Sequence, residues 1–331
     1  MVDEEAGEKG LVLGFLLDGK GGGRRISRAE LDSLEAGPEE DLWLHWDRSH
    51  PEAQAWLRER SDLSEFTCDL LLEEETRPRL LPSGDQGVLL FLRGVNLNPG
   101  ADPEDMVSLR VHGDSRRVIS LRLRPLRAID QIRQDIERGE GPRNSSELLL
   151  QMAFYLTSRV DELNDALSIQ LDALEERLDM DEQALPDHGE LLLIRRRAAG
   201  LKRYLAPQRE IFAQLARQRF EWFSTDDAAY WNELHNSLTR NLEELEMSRE
   251  RVAQLESLEQ RRLGERTNKT MFLLTIVTVF FLPLSFFTGL LGINVGGMPG
   301  ADNPQGFLWA CALSALIAVG QWLVFRWLRW L

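Results

Sequence analysis

The chain has 331 residues, of which 43% are hydrophobic and 28% are charged, and its formal net charge is −15. That length suffices for about two domains. Residues 267–331 hold three basic side chains and one acidic one (+3 − 1 = +2), so residues 1–266 carry −17. So acidic a segment argues against a nucleic-acid partner, whose phosphates require a basic surface. It is compatible with the attraction of cations, and equally with solubility alone.

Residues 1–125 have the pattern of a mixed α/β domain. Short β-type runs occur at 11–17, 42–46, 87–93, 106–111 and 118–123. Two capping boxes predict helix starts, Ser27 with Glu30 and Ser49 with Glu52. The glycine-rich stretch at 18–25 lacks the spacing of a phosphate-binding loop, so we expect a simple connection between strands there.

Helical patterns dominate from about residue 126. A short helix is predicted to end at Gly139, and Asn144 with Glu147 resembles the start of a long amphipathic helix that continues to about Met180. A second long helix is predicted from about 188 to 223, with a kink at Pro207. We therefore expect an α+β fold in which an α/β domain (1–145) is followed by a helical hairpin (146–225).

The segment from 226 onward predicts one very long helix that enters a membrane. Residues 226–263 contain no glycine or proline and place apolar side chains at helical spacing, and the run 271–293 holds 23 residues without a charge. The helix would have about 65 residues and a length of roughly 100 Å. We divide it into a stalk (226–270) and a first span (271–293), followed by a loop (294–305) and a second span (306–325). A helix this long requires neighbours along its apolar stripe, which self-association would supply.

Charges beside the spans predict the topology. Basic residues flank the start of the first span and follow the second, whereas the loop 294–305 carries only Asp302. By the positive-inside rule both termini, including the tail 326–331, are expected in the cytoplasm and the loop outside it. The acidic N-terminus has no apolar signal region, so we expect the long soluble part not to be exported.

The first span carries a polar stripe. Steps of three and four residues along one helical face give Asn268, Met271, Thr275, Thr278, Leu282, Ser285, Gly289 and Gly292. Small and polar residues on one face of a membrane helix serve either close helix packing or the lining of a watery pore. The stripe begins at Asn268 and the span ends in Gly292-Ile293-Asn294 rather than in lipid-facing residues, and both observations favour the pore.

The tract 270–300, TMFLLTIVTVFFLPLSFFTGLLGINVGGMPG, closely resembles the pore helix and signature loop of the CorA-type divalent metal transporters. The signature Gly-Met-Asn of that family is Gly-Ile-Asn here, which is similar to the ZntB branch associated with zinc. The stretches 44–57, 93–111 and 123–133 also resemble that branch. The resemblance implies a homopentamer in the inner membrane of a bacterium, with a cytoplasmic α/β funnel domain, a stalk helix that continues into the pore, and a second span outside it.

The same resemblance implies roles for the stripe and the signature. Gly292, Ile293 and Asn294 would form the selective outer mouth, where Asn294 would bind the ion through its hydration water. A neutral amide oxygen suits a small divalent cation, which gives up water reluctantly. Asn268, Thr275, Thr278 and Ser285 would supply further polar rings and Gly289 would line the pore with them. Met271 and Leu282 would form apolar constrictions. Without the resemblance, the favoured interpretation of Asn294 is the cap of a helix end, where Asn is common.

The sequence gives little support for zinc itself. The five histidines are scattered without HxxxH or HExxH spacing, and Cys68 and Cys311 are far apart, so neither a zinc site nor a disulfide framework is predicted. Zinc therefore depends on Gly-Ile-Asn and on the resemblance of the soluble part to the ZntB branch. On that basis we expect Zn²⁺ as the transported ion, with Mg²⁺, Co²⁺ or Ni²⁺ as the alternative. We expect no resident cofactor.

A membrane-anchored sensor or scaffold is less favoured because an anchor needs no polar face. An enzyme is least favoured because the sequence has no nucleophile–base set and no phosphate loop.

Overall fold

The computed structural model describes residues 8–327 apart from 35, 38–39, 75–76, 85, 182–183, 219 and 294–302. The chain divides into two compact units, Met1–Glu256 and Ser257–Leu331. The first unit holds a sheet and most of the helices, and the second holds the apolar C-terminal part of the chain. Each unit is described by itself below.

A seven-stranded mixed sheet forms the centre of the first unit. Its strands in spatial order are β2-β1-β3-β7-β6-β5-β4. Strands β3 and β7 pair in parallel and every other pair is antiparallel. The strands are β1 (Leu11–Leu17), β2 (Gly23–Arg25), β3 (Asp41–Asp47), β4 (Arg79–Ser83), β5 (Gly87–Gly94), β6 (Val107–Gly113) and β7 (Arg117–Arg122).

Five strands lie where the sequence predicts them, and two were missed. Both missed strands, β2 and β4, are the outer strands of the sheet. Strand β2 has only three residues, and β4 contains Pro82, which demotes a strand pattern but is tolerated at an edge where no ladder donor is required. The glycine-rich stretch is only partly the predicted connection, because its last three residues form β2 (Gly23–Arg25). Residues 18–22 connect β1 to β2, and there Asp18 Oδ1 accepts hydrogen bonds from the backbone N–H groups of Lys20 (2.8 Å) and Gly22 (3.0 Å).

Helices α2 (Pro51–Arg60) and α3 (Glu65–Leu72) pack on one face of the sheet. Trp46 of β3 stacks on Trp56 of α2 with ring centroids 4.7 Å apart. Cys68 is a buried free thiol in this layer. The apolar core between the helices and the sheet comprises Leu11, Leu44, Trp46, Ala53, Trp56, Leu57, Cys68, Leu71, Leu89, Phe91, Ile119 and Leu121.

One predicted cap is confirmed and one is wrong. Ser27 and Glu30 form the reciprocal capping box at the start of α1 (Arg28–Leu31). The cap of α2 is His50 rather than Ser49: His50 Nδ1 accepts from the N–H of Glu52 at 3.2 Å. Ser49 instead donates its N–H to Asp47 Oδ1 at 2.8 Å. The turn formed by Asp47 draws Ser49 away and moves the helix start by one residue, because Asp side chains compete for such backbone donors.

Helices α4 (Arg127–Arg138) and α5 (Ser145–Met180) follow the sheet, and α5 contacts strands β3, β5, β6 and β7. Helix α4 ends at Gly139, whose φ of 79° is left-handed, and this agrees with the predicted stop. Asn144 caps α5 and accepts from the N–H of Glu147 at 2.9 Å.

Helix α6 (His188–Arg217) contains Pro207 and is shorter than predicted. The sequence predicts helix to residue 223, but the aromatic residues after α6 pack on one another: the Trp222 and Phe223 rings lie 4.6 Å apart. Trp222 Nε1 also donates to the carbonyl of Gln86 at 2.7 Å. These tertiary contacts hold the segment outside the helix.

Helix α7 (Asp227–Leu291) is continuous over 65 residues, as its predicted apolar spacing requires. Its soluble part packs on α5 and α6 within the first unit. Trp231 contacts Phe212 of α6 with centroids 5.5 Å apart, and the buried Asn164 of α5 donates to Asn241 Oδ1 at 2.8 Å. Arg251 lies 2.7 Å from Glu175 of α5. Neighbouring helices therefore cover the apolar stripe of α7, which a helix of this length needs.

Two buried histidines predict that the first unit is sensitive to acid. Burial lowers the pKa of His112 to about 4, against a partly opposing effect of Asp114, and burial holds the pKa of His45 well below its ordinary value. His45 Nδ1 is 2.8 Å from Ser120 Oγ. The unfolded chain therefore binds more protons than the folded chain between about pH 6.5 and pH 4. Each histidine stabilises the fold above this window, and the stabilisation is lost as the pH falls through it.

We expect the unfolding temperature, followed by tryptophan fluorescence, to fall between pH 7 and pH 5, with a free-energy slope of up to about 1.4 kcal/mol per pH unit for each buried histidine. His112→Gln removes one such group and should reduce the slope. His188→Gln, which changes an exposed histidine, is the matched control. An identical slope in the native chain and in His112→Gln would contradict this assignment.

Candidate ion pathway on the first apolar helix

Two helices in the described part of the chain are long and apolar enough to cross a membrane. They are α7, whose most apolar window has a mean hydropathy of 2.2, and α8 (Gly306–Trp327), with 1.9. Neither window is buried within the chain. Lipid or further protein copies are therefore required to cover these surfaces.

Within the second unit, α8 covers one face of α7. The Phe280 and Phe325 rings stack with centroids 5.2 Å apart and an interplanar angle of 21°. The partly buried residues of the α7 span recur every three or four positions and define a single face; they are Ile276, Phe280, Leu284 and Phe287. On α8 the corresponding face holds Ala310, Ser314, Ile317, Ala318, Gln321 and Phe325.

The predicted polar stripe lies on the opposite face of α7. At about 100° per residue, the stripe points about 180° away from the face that α8 covers. Its members are solvent-exposed, with Met271 at 60% and Leu282 at 67% exposure; the others are Asn268, Thr275, Thr278, Ser285, Gly289 and Gly292. The stripe therefore does not serve to pack α7 against α8. It remains available for contact with another copy of the chain or with water.

Threonine hydroxyls on the stripe direct their protons into the helix. Thr275 donates to the carbonyl of Met271 and Thr278 to that of Leu274, both at 2.8 Å. Such back-bonding is common for threonine in helices. It leaves the oxygen lone pairs as acceptors at the surface, and an acceptor is what the water molecules bound to a cation require. Thr288 makes the same bond to Leu284 at 2.9 Å but lies off the stripe, at a crevice next to α8.

Pro283 removes one backbone donor from α7, and α8 replaces it. The carbonyl of Val279 would accept from residue 283 in a regular helix, but proline has no N–H. Gln321 Nε2 donates to that carbonyl at 3.0 Å. The sequence does not identify Gln321 as this donor, although it is the only amide side chain in α8. In a bilayer such a bond matters because lipid offers no substitute.

The predicted outer mouth lies at the end of α7. The N–H of Gly292 donates to the carbonyl of Thr288 at 3.0 Å, and Ile293 follows with 49% exposure. Asn294, the residue to which the resemblance gives ion capture, lies outside the described residues. At the other end of the stripe, Asn268 is exposed within the helix.

No group of three or more His, Cys, Asp or Glu side chains that could hold a metal occurs among the residues the structure describes. His45 and His112 belong to the sheet core, and His50 caps a helix. His235 Nδ1 lies 3.2 Å from the carbonyl of Arg209. Any ion recognised along the stripe would therefore meet oxygen atoms rather than the nitrogen and sulfur ligands typical of zinc.

Comparison with known proteins identifies the family. A family model described as CorA-like Mg²⁺ transporter protein matches residues 39–327. The chain belongs to this family. CorA-like proteins are membrane transporters rather than enzymes, and the resemblance read from residues 270–300 is confirmed.

Individual relatives extend over the whole chain. A Pseudomonas aeruginosa protein named divalent cation transporter CmaX is 61% identical over 328 residues, which are 99% of each chain. A Yersinia enterocolitica protein named zinc transport protein ZntB is 34% identical over 97% of this chain and 96% of that relative. A solved structure of full-length CmaX matches with a TM-score of 0.89, covering 99% of this chain and 100% of the solved one.

The bond between Gln321 and Val279 can be tested with a double-mutant cycle. Gln321→Leu should destabilise the detergent-solubilised protein by about 1 kcal/mol, because it leaves the Val279 carbonyl without a donor. Pro283→Ala restores a backbone N–H at 283, so Gln321→Leu should cost much less in that background. Thermal unfolding of the four proteins measures the coupling. Equal costs of Gln321→Leu in both backgrounds would show that the bond has no special role.

Proposed function

We propose that the protein assembles as a pore that conducts hydrated divalent cations, Zn²⁺ among them, across a bacterial inner membrane. The observation that carries this proposal is the exposed polar stripe of α7 on the face opposite α8. Membership of the CorA-like family and the name divalent cation transporter borne by CmaX support it. A membrane-anchored sensor is disfavoured because an anchor has no use for a polar face.

The stripe suits an ion that keeps its water. A small divalent cation such as Mg²⁺ loses its hydration shell reluctantly. The hydroxyl oxygens of Thr275 and Thr278 can accept hydrogen bonds from that shell because their own protons are bound to helix carbonyls. Ser285 and Asn268 would add acceptors. Met271 and Leu282, both well exposed, would form apolar rings that block conduction when they lose water.

A single stripe cannot enclose a path, so the proposal requires several copies of the chain around an axis. With the stripes facing inward, each α8 would lie on the outside because it covers the opposite face of α7. Five copies follow from the family resemblance alone. In this arrangement Gly292, Ile293 and Asn294 would form the outer mouth, with five Asn294 amides able to accept hydrogen bonds from the metal-bound water. Gly289 would bring backbones close, since it carries no side chain.

The charge pattern supports cytoplasmic termini. Arg261, Arg262, Arg266 and Lys269 precede the span of α7, and Arg326 and Arg329 lie at the end of α8 and beyond it. The loop 294–305 holds a single charge. The positive-inside rule then puts both ends and the large acidic unit in the cytoplasm. There the acidic surface would raise the local concentration of cations.

The choice of metal has two supported candidates. The name zinc transport protein, borne by ZntB relatives at 34% identity, favours Zn²⁺. The family description favours Mg²⁺, and oxygen acceptors along the stripe suit Mg²⁺, Co²⁺ or Ni²⁺ as well. The pathway would recognise the hydrated ion in every case, so the two candidates differ in selectivity rather than in mechanism.

A matched pair of threonine variants tests the stripe. Thr278→Val removes a hydroxyl on the stripe, and Thr288→Val removes one off it, while both lose the same bond to a helix carbonyl. In proteoliposomes we expect Thr278→Val to lower divalent-cation flux at least about threefold, because each copy loses an acceptor for metal-bound water. Thr288→Val should leave the flux close to that of the native protein.

Size-exclusion chromatography must give the same oligomeric state for both variants as for the native protein. A change in flux then reflects the pathway rather than the assembly. Equal losses in the two variants would indicate a packing defect common to both. Undiminished flux in Thr278→Val would contradict a pathway along this face.

Zn²⁺ uptake into liposomes, with Mg²⁺ as competitor and an imposed pH gradient, separates the two metals. The Zn²⁺ proposal expects flux that resists excess Mg²⁺. A rise of that flux with the proton gradient would indicate that transport is coupled to protons. Neither span contains an Asp, Glu or His that could carry the proton. Flux that Mg²⁺ suppresses and that ignores pH would replace the zinc assignment by a broad divalent pathway, and protein-free liposomes are the control.

A further inference from the structure

A cavity of about 610 Å³ lies in the first unit, where several strands of the sheet end. Strands β3, β5 and β7 run in the same direction, and the cavity is at their carboxyl ends. Helix α6 supplies another wall. The volume is in the range of small-molecule sites. The charged and aromatic lining residues are Arg48, Glu74, Arg77, Arg93, Asp105, Arg110, Arg124, Arg203 and Tyr204.

Among the lining residues that the structure describes, six arginines and two carboxylates give this cavity a strong positive excess. The excess stands out because residues 1–266 carry a net charge of −17. Acidic side chains are thus abundant in the unit, yet they do not neutralise the cavity. In the described part of the chain, Arg48, Arg77, Arg110, Arg124 and Arg203 form no ion pair with a carboxylate. Repulsion among these guanidinium groups is a cost that an anion would relieve.

The inner arginines are held by the carboxyl end of α3. Arg48 donates to the carbonyls of Leu72 (2.9 Å) and Glu73 (2.7 Å), and Arg110 donates to that of Leu71 (2.6 Å). Arg110 is only 3% exposed. Burial, together with the charges of Arg48 and Arg93, lowers the pKa of Arg110 to about 9. The carbonyls fix these two side chains and partly offset their charge, since a helix carboxyl end is favourable to cations.

Two of the remaining arginines lie over the ring of Tyr204. The Arg93 guanidinium is 4.8 Å from the ring centroid, and the Arg203 guanidinium is 5.3 Å from it. Arg93 Nη1 also donates to the carbonyl of Met106 at 2.8 Å. Stacking on the aromatic ring orients the Arg203 guanidinium without using its N–H donors. Arg77, Arg124 and Arg203 are exposed. Planar guanidinium groups with free donors are the preferred partners of phosphate oxygens, which they bind through paired hydrogen bonds.

We propose that this cavity binds a phosphate-bearing anion with at least two phosphate groups, such as pyrophosphate or a nucleoside triphosphate. Among the described lining residues the excess is four positive charges, six minus two. One phosphate monoester carries only about −1.5 to −2 at pH 7, so an anion with two or more phosphate groups matches the excess better than one with a single group. The volume leaves room for a larger body than pyrophosphate. This site is in the first unit, and its existence does not depend on the proposed transport.

The test uses the full-length protein in detergent, in low-chloride buffer without divalent cations so that chelation does not contribute to the signal. Calorimetric titration with pyrophosphate and with ATP should give saturable binding for both. Arg124→Gln combined with Arg203→Gln should raise the dissociation constant roughly ten-fold or more, because it removes two exposed donors and leaves the inner arginines in place.

Arg138→Gln combined with Arg143→Gln removes the same charge from exposed positions outside the cavity and is the matched control. The proposal expects binding in this control to equal that of the native chain. Equal weakening in both double variants would overturn it, since the effect would then be one of net charge. Failure of both probes to bind at millimolar concentration, or equal binding of chloride, would overturn it too. Circular dichroism verifies that each variant is folded.

Discussion

A helix inside a bilayer has to satisfy its own backbone, because hydrocarbon offers neither donors nor acceptors. Pro283 breaks this rule in α7 by leaving the Val279 carbonyl without an N–H. The repair comes from Gln321 at 3.0 Å, and the Phe280–Phe325 stack lies beside it. The packing of α8 against α7 is therefore fixed in rotation as well as in contact, since only one face of α8 carries the amide. That constraint leaves the opposite face of α7, with its hydroxyls and small residues, uncovered by the described residues of its own chain.

One continuous helix carries two inverted patterns. In its soluble part the informative residues are apolar, and Trp231, Leu238 and Val252 are buried against α5 and α6. In its apolar part the residues that indicate an interface are polar, because lipid solvates apolar side chains well and they no longer distinguish a protein contact from a lipid contact. The change of solvent along α7 reverses which residue type signals a neighbour. One physical rule applies to both parts: a side chain that its surroundings solvate poorly is more stable in contact with a partner. Apolar residues therefore mark the packing face in the soluble part of α7, and polar residues mark the proposed pore face in the apolar part.

Local patterns were sufficient for most of the fold. Periodicity predicted β1, β3, β5, β6 and β7 and the unbroken α7, and Ser27 and Gly139 marked helix ends correctly. The errors have different causes. Pro82 concealed an edge strand, and the short-range bond from Ser49 to Asp47 displaced the predicted cap to His50. At Trp222 a tertiary contact outweighs the local preference for helix. The arginine-lined cavity could not be predicted at all, because Arg48, Arg93, Arg110 and Arg203 are distant in sequence and meet only through the strand order of the sheet.

Selectivity among divalent ions in the proposed pore has to come from geometry. An acidic surface raises the concentration of every cation within about a Debye length and does not distinguish Zn²⁺ from Mg²⁺. In that pore, oxygen acceptors such as Thr275 and Thr278 would bind a hydrated ion through its water, and both ions present similar water. What differs is how readily the shell gives up or reorders ligands. The spacing of acceptors on neighbouring α7 helices would decide that difference. In the proposed pore this spacing would depend on the course of α7 around Pro283, and so on Gln321, which bonds to α7 on the face away from the stripe.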